Sequence, residues 1–192
     1  MRPRHSTIFL IGFMGSGKTT LGRALAQRVP GWRFIDLDEE IERHTGMSIR
    51  KFFTLHGEAA FRTLEAETLR AVAEEAALSH IKGEGSENQP VTVVACGGGT
   101  PCRPGAMELM NRYGVTVLLE ASPERLLARL TEGALQRPLL RDKTPAEIAQ
   151  FIRSEQIRRA PWYNQAMLRF PSDRLESEAE IAESCELFLN SI

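Results

Sequence analysis

Hydrophobic positions follow two alternating rhythms along this chain. Thr7-Ile8-Phe9-Leu10-Ile11 is an unbroken, partly β-branched apolar run, the mark of a short strand covered on both faces. Leu21, Leu25 and Val29 then recur at four-residue spacing, which predicts a helix from Lys18 to Val29, stopping before Pro30-Gly31. Arg33–Asp36 reads as a second strand, and 38–78 is helical in pattern, broken at Gly46 and Gly57, with Ile49, Phe52, Phe53 and Phe61 as apolar contacts. The polar, aperiodic stretch Ser79–Pro90 reads as a surface loop. Val91–Ala95 and Val115–Leu119 are further buried strands, separated by a helix over Pro104–Tyr113 that Gly114 closes. Ser122 and Pro123 open the next helix, which fades at Gly133, and a basic loop follows. Thr144-Pro145-Ala146-Glu147 is a capping box for a helix to about Ala160. A last strand over Ala166–Phe170 and a terminal helix capped by Ser177-x-x-Glu180 complete the chain. Strand and helix alternate throughout, which predicts an α/β fold: five parallel strands with helices on both faces.

Composition narrows the function without choosing it. At 192 residues, 42% hydrophobic and 26% charged, the chain fits one compact domain, taken here as 1–192, with a core that needs no disulfide staple. A formal charge of −1 gives no general attraction for nucleic acid or an anionic membrane, so any anion site has to be local. No segment reaches the roughly 20 apolar residues of a spanning helix. The Ile8–Met14 stretch is too short and too glycine-bearing for a secretory signal. Three cysteines, Cys96, Cys102 and Cys185, form neither a CxxC motif nor an even framework, and a cytoplasmic protein is expected.

The chemistry begins at Gly12-Phe13-Met14-Gly15-Ser16-Gly17-Lys18-Thr19, which matches GxxxxGK[ST] between a predicted strand and a predicted helix. Glycines let backbone N–H groups turn inward around phosphates, the helix directs its positive end at them, and Lys18 adds a point charge. Gly15, Ser16, Gly17, Lys18, Thr19 and Thr20 are therefore the expected contacts to a nucleoside triphosphate, with the Thr19 hydroxyl offered to Mg²⁺. Arginines dominate the 24 basic residues, so a lysine at this position is not compositional noise.

Asp36 and Asp38 close the second strand, and only Asp142 and Asp173 are other aspartates among 25 acidic residues. Ligands of a doubly wound sheet lie beyond the carboxyl ends of its strands, so this pair and the glycine loop should face one crevice. Period-two alternation sends both side chains the same way if the extended conformation continues. The third strand ends in Cys96-Gly97 with no carboxylate, which moves the acidic partner of the metal to Asp36 and leaves Asp38 to orient an acceptor hydroxyl and take its proton. The alternative for the pair is a helix N-cap and a solvated turn.

In order along the chain come the phosphate loop, the paired aspartates, Phe61-Arg62-x-x-Glu65, Gly97-Gly98-Gly99, Arg137-Pro138-Leu139-Leu140 and Arg159-Ala160-Pro161-Trp162-Tyr163. With these, the chain resembles the shikimate kinase family from about Ile8 to Phe170. The resemblance implies a P-loop kinase three-layer sandwich of the nucleoside monophosphate kinase type, with a helical acceptor-binding insert at about 37–78 and a lid at about 133–143. It implies transfer of the γ-phosphoryl group of ATP to the 3-hydroxyl of shikimate, in aromatic amino acid biosynthesis, by a monomer that needs neither nucleic acid nor membrane. Arg62 and Arg159 would grip the shikimate carboxylate, Glu65 would orient Arg62, the backbone of Gly98 and Gly99 would approach the ring, and Asp38 would take the hydroxyls. Arg137 would close over the γ-phosphate, giving a catalytic set of Lys18, Asp38 and Arg137. On the residues alone, the alternatives are a surface ion pair for Arg62 and Glu65 and a tight turn for 97–99. The family often carries arginine-threonine before the lid, against adenine, whereas Arg129 here is followed by Leu130-Thr131. Relatives acting on gluconate or a nucleoside monophosphate, and a nucleotide-binding regulatory module, are the competing readings.

Overall fold

The computed structural model describes residues 6–83, 90–133, 140 and 142–192. The described elements run β1 (Thr7–Ile11), α1 (Lys18–Arg28), β2 (Trp32–Asp36), α2 (Leu37–Thr45), α3 (Ile49–Lys82), β3 (Val91–Ala95), a 3₁₀ turn at Thr100–Cys102, α4 (Ala106–Tyr113), β4 (Val115–Glu120), α5 (Pro123–Glu132), α6 (Pro145–Tyr163), β5 (Leu168–Pro171) and α7 (Glu178–Ser191). The strands form one sheet in the order β2-β3-β1-β4-β5, and every neighbouring pair is parallel.

β1 lies at the centre of the sheet and is buried along its whole length, as its unbroken apolar run requires. Its alternate side chains supply two cores. Phe9 and Ile11 pack with Leu37, Ile41, Leu69, Val72 and Met110, under α2, α3 and α4. Ile8 and Leu10 face the other way, onto Leu21 and Leu25 of α1 and Phe188 of α7. A third cluster, around Phe13, Leu126, Leu130 and Ile152, joins α5 and α6 to the loop after β1. Helices therefore cover both faces, and all the strands end on the same side of the sheet.

The structure departs from the sequence pattern at two places, and breaks α3 at Gly57 as the pattern predicts. α3 continues to Lys82, so Ser79–Lys82 is helix and not loop. Polar residues there lie on a solvated turn, while Gly83 N–H closes it on Ser79 O and His80 O. Gly57, at φ 78° and ψ 174°, breaks α3 internally, and the part beyond it carries the buried Leu69, Val72, Ala73 and Ala76 that cover the sheet. α6 runs through Pro161 to Tyr163. Packing of Trp162 and Tyr163 against the core holds the last turn, and Asn164 N–H still reaches Ala160 O at 2.9 Å. Of the expected lid, 134–139 and 141 lie outside the described residues, and Arg137 with them.

Gly114 joins α4 to β4 at a close backbone crossing, where an added methyl carbon would stand 2.1 Å from Thr7 O. That oxygen belongs to the central strand and has no rotamer through which to withdraw. Gly114→Ala should therefore lower stability by about 1–3 kcal/mol, read as a lower urea midpoint at unchanged slope.

Candidate active site

The loop between β1 and α1 is built on glycines in conformations that side chains resist: φ is 143° at Gly12, 79° at Gly15 and 88° at Gly17. Gly17 caps α1 in the left-handed region, and the helix starts at Lys18. Lys18 Nζ donates to Gly12 O at 2.9 Å and Phe13 O at 2.8 Å, with Ser16 Oγ at 3.4 Å. The ammonium thus lies along the inner edge of its own loop. Burial lowers it to about 8, against the opposing pull of Asp38 and Asp36. Ser16 is buried beneath the loop. A cavity of about 480 Å³ opens on the outer side, walled by Gly15, Gly17, Lys18, Thr19, Thr20, Arg129 and Leu175 among others. That volume suits a nucleotide-sized ligand.

Thr19, in the first turn of α1, and Asp36, at the end of β2, join the glycine loop to the second strand's carboxyl end. The Thr19 hydroxyl donates to Asp36 Oδ2 at 2.8 Å, while Asp36 Oδ1 accepts the Asp38 N–H at 3.1 Å and so caps α2. One carboxylate oxygen of Asp36 thus caps α2, and the other faces the Thr19 hydroxyl. The extended conformation does not continue through Asp38, which stands in the first turn of α2. Helix geometry, rather than period-two alternation, brings it into the crevice. Its carboxyl is pushed up to about 6 by burial, and further by the neighbouring Asp36 and Glu65.

The triple glycine at the end of β3 is where charged side chains from three other segments converge. A methyl on Gly97 would lie 3.2 Å from Asp38 Oδ1 and 3.3 Å from Glu65 Oε1; one on Gly98, 2.9 Å from Arg159 Nη1; one on Gly99, 3.6 Å from Arg62 Nη1. Three sequence segments therefore touch this turn with their charged ends. Glu65 is buried, accepting from Arg62 Nη1 at 2.9 Å and Thr100 Oγ1 at 2.6 Å. The Arg62–Glu65 pair is thus half-interior rather than a surface pair. Arg62 also packs on the rings of Phe53 and Phe61, at 5.9 and 5.1 Å.

Arg159 is buried, while its neighbour Arg158 is exposed, which settles which of the two faces the turn. Its Nη1 donates to Gly98 O at 2.9 Å, its Nε and Nη2 to Glu155 Oε2 at 3.0 and 2.6 Å, and its guanidinium stands 5.1 Å from the Phe13 ring. Tyr163 Oη also donates to Gly98 O, at 2.7 Å.

Glu155 escaped the sequence reading, which named Arg129 only for its departure from the family's arginine-threonine pattern. Glu155 stands four residues before Arg159, a helical spacing that could have flagged it. Arg129 donates to Gly15 O at 2.9 Å, to Ser172 O at 3.0 Å, to Asp173 O at 3.1 Å and to Glu176 Oε1 at 2.7 Å. It ties the glycine loop to the connection between β5 and α7. Leu175, in that connection, packs over Gly17 so closely that a methyl there would lie 2.3 Å away. The stretch after Phe170 carries no motif, so nothing in the sequence marked Leu175 for this place.

The sequence profile of the family described as Shikimate kinase matches residues 14–190. A shikimate kinase from Bacteroides thetaiotaomicron is 42% identical over 181 residues, 93% of this chain and 94% of that protein. One from Chlorobaculum tepidum is 39% identical over 184 residues, covering 93% and 88%. Among solved structures, the shikimate kinase of B. thetaiotaomicron superposes with a TM-score of 0.83 at 40% identity, covering 96% of this chain and 97% of that one. The shikimate kinase of Acinetobacter baumannii in complex with shikimate gives 0.75 at 29% identity, covering 98% and 94%.

The raised Asp38 carboxyl has a consequence for the ligand-free protein. In the unfolded chain it ionises near 3.8, in the folded protein near 6, so between these values the folded state holds the extra proton. Stability falls as pH rises through that window, and the loss is complete above it. Asp38→Asn should raise the melting temperature at pH 8, by the equivalent of up to about 3 kcal/mol, with the gain vanishing near pH 4. A gain independent of pH would remove ionisation of Asp38 as its cause.

Proposed function

This chain belongs to the shikimate kinase family, whose members move the γ-phosphoryl group of ATP to the 3-hydroxyl of shikimate with Mg²⁺, a step of aromatic amino acid biosynthesis, and we propose the division of labour by which its own residues do so. The observation that carries the reading is the Gly97–Gly99 turn, against which Asp38, Arg62 and Arg159 all abut, while Lys18 lies in the same electrostatic field.

Gly15, Ser16, Gly17, Lys18, Thr19 and Thr20 hold the triphosphate, with the Lys18 ammonium drawing the β and γ oxygens. Thr19 Oγ1 and Asp36 Oδ2, 2.8 Å apart, are hard oxygen donors that suit Mg²⁺. When bound, the cation neutralises charge on the phosphates. Arg62, steadied by Glu65, and Arg159 take the shikimate carboxylate, a task for planar, multiply donating cations. The backbone of Gly98 and Gly99 leaves room for the ring. Asp38 orients the 3-hydroxyl and accepts its proton as the oxygen–phosphorus bond forms and ADP leaves. Its ionised form is the working one. Arg137, expected to close over the γ-phosphate from the 133–143 lid, completes the set.

The single-domain reading, with the insert at about 37–78 serving the acceptor, belongs to the same proposal. So does a monomer, supported by Asp38, Arg62 and Arg159 of one chain meeting at a single turn. Among the described residues no helix is long and apolar enough to cross a membrane. Cytoplasmic residence is supported by the free Cys96, Cys102 and Cys185.

An ADP-release assay with shikimate, gluconate and no acceptor separates the readings: release that depends on shikimate alone supports this one, and acceptor-independent ATP hydrolysis or a preference for gluconate sinks it. In the same assay kcat/KM for shikimate should fall on the acid side as Asp38, whose carboxyl burial pushes up, gains its proton. Asp38→Asn should remove that limb and lower kcat by about 10²–10⁴.

A further inference from the structure

Arg159 is pinned on three sides. Phe13 covers the face of its guanidinium, Gly98 O takes Nη1, and Glu155 Oε2 takes both Nε and Nη2. Of these restraints only Glu155 is an ionised side chain, and it alone fixes rotation about the Nε edge. The carboxylate belongs to α6 like Arg159 itself, one turn earlier, so the pair moves as a unit of the helix. From the solvent side Arg158 closes on the same group, Nε on Oε1 at 2.8 Å and Nη2 on Oε2 at 2.7 Å. Glu155 is thus shared between one buried and one exposed arginine. Its carboxyl is held down to about 2, chiefly by the Arg158 hydrogen bond, and stays charged across any working pH.

We propose that Glu155 is a positioning residue for the acceptor: it locks the plane of the Arg159 guanidinium so that the shikimate carboxylate meets a fork already in place. The inference rests on the reading of Arg159 as a carboxylate grip. Two-pronged recognition depends on the plane of the cation, and fixing that plane before binding removes an ordering cost that binding would otherwise bear. Glu155 touches neither the phosphate loop nor Asp38 in its hydrogen bonds, so its effect belongs to acceptor affinity and not to the chemical step.

The test is a kinetic double-mutant cycle on the intact enzyme. Glu155→Ala should raise the shikimate KM about tenfold with kcat and the ATP KM unchanged. Glu155→Gln, which keeps an accepting oxygen, should recover most of that loss. Arg158→Ala should leave the shikimate KM near that of the parent, since Arg159 keeps its bonds. In an Arg159→Ala background, Glu155→Ala should add nothing. An unchanged KM for Glu155→Ala, effects that multiply in the double variant, or an equal rise in the ATP KM would each overturn the proposal. So would a lower KM, which would make Glu155 a competitor of the acid. If Arg159→Ala itself leaves the shikimate KM unmoved, the reading of Arg159 has failed; if it raises KM while Glu155→Ala does not, only the role of Glu155 has.

Discussion

Parallel strands finish on one edge of their sheet, and that constraint is what assembles this site from pieces far apart in sequence. β1 hands over to the glycine loop, β2 to Asp36 and Asp38, and β3 to the triple glycine, each at its carboxyl end. The strand order sets β3 beside both β1 and β2, so the turn after β3 meets the phosphate loop and the aspartates together. None of the charged residues needs a long reach. Pairing of β3 with β1 on one side and β2 on the other sets their register, and the register fixes where the loops emerge.

Holding these charges in one crevice carries an electrostatic cost that the contacts only partly offset. Lys18 is driven toward neutrality and Asp38 toward its protonated form, in both cases mainly by loss of water. Such tension is stored where function needs it. Elsewhere the charges are satisfied internally: Glu65 by Arg62 and Thr100, Arg129 by carbonyls and Glu176.

Most of the fold was legible because its elements are strongly patterned. The TIFLI run, the glycine motif and the capping boxes at Thr144 and Ser177 each state a local physical requirement, and both boxes form with reciprocal bonds. What could not be read is tertiary in origin. That α3 persists through Ser79–Lys82 follows from a turn whose polar residues meet solvent, which a polar loop also offers. That Asp38 shares the crevice with Asp36 was anticipated for the wrong geometrical reason. Arg129 and Leu175 owe their places to the β5–α7 connection folding back over the glycine loop, and no periodicity announces such a return. Glu155, four residues before Arg159 on α6, was within reach of a spacing rule.

The Gly98 carbonyl accepts from both Arg159 and Tyr163, and no peptide bond among the described residues is cis. In a planar trans amide the N–H of the next residue points opposite to the carbonyl. The two donors on α6 therefore aim the Gly99 N–H away from that helix, with no rotor left to blur its direction. It is a fixed dipole that belongs to the main chain. Alanine scanning would pass over it without a signal, and only a backbone change such as an ester in place of that amide would reveal how much recognition it carries.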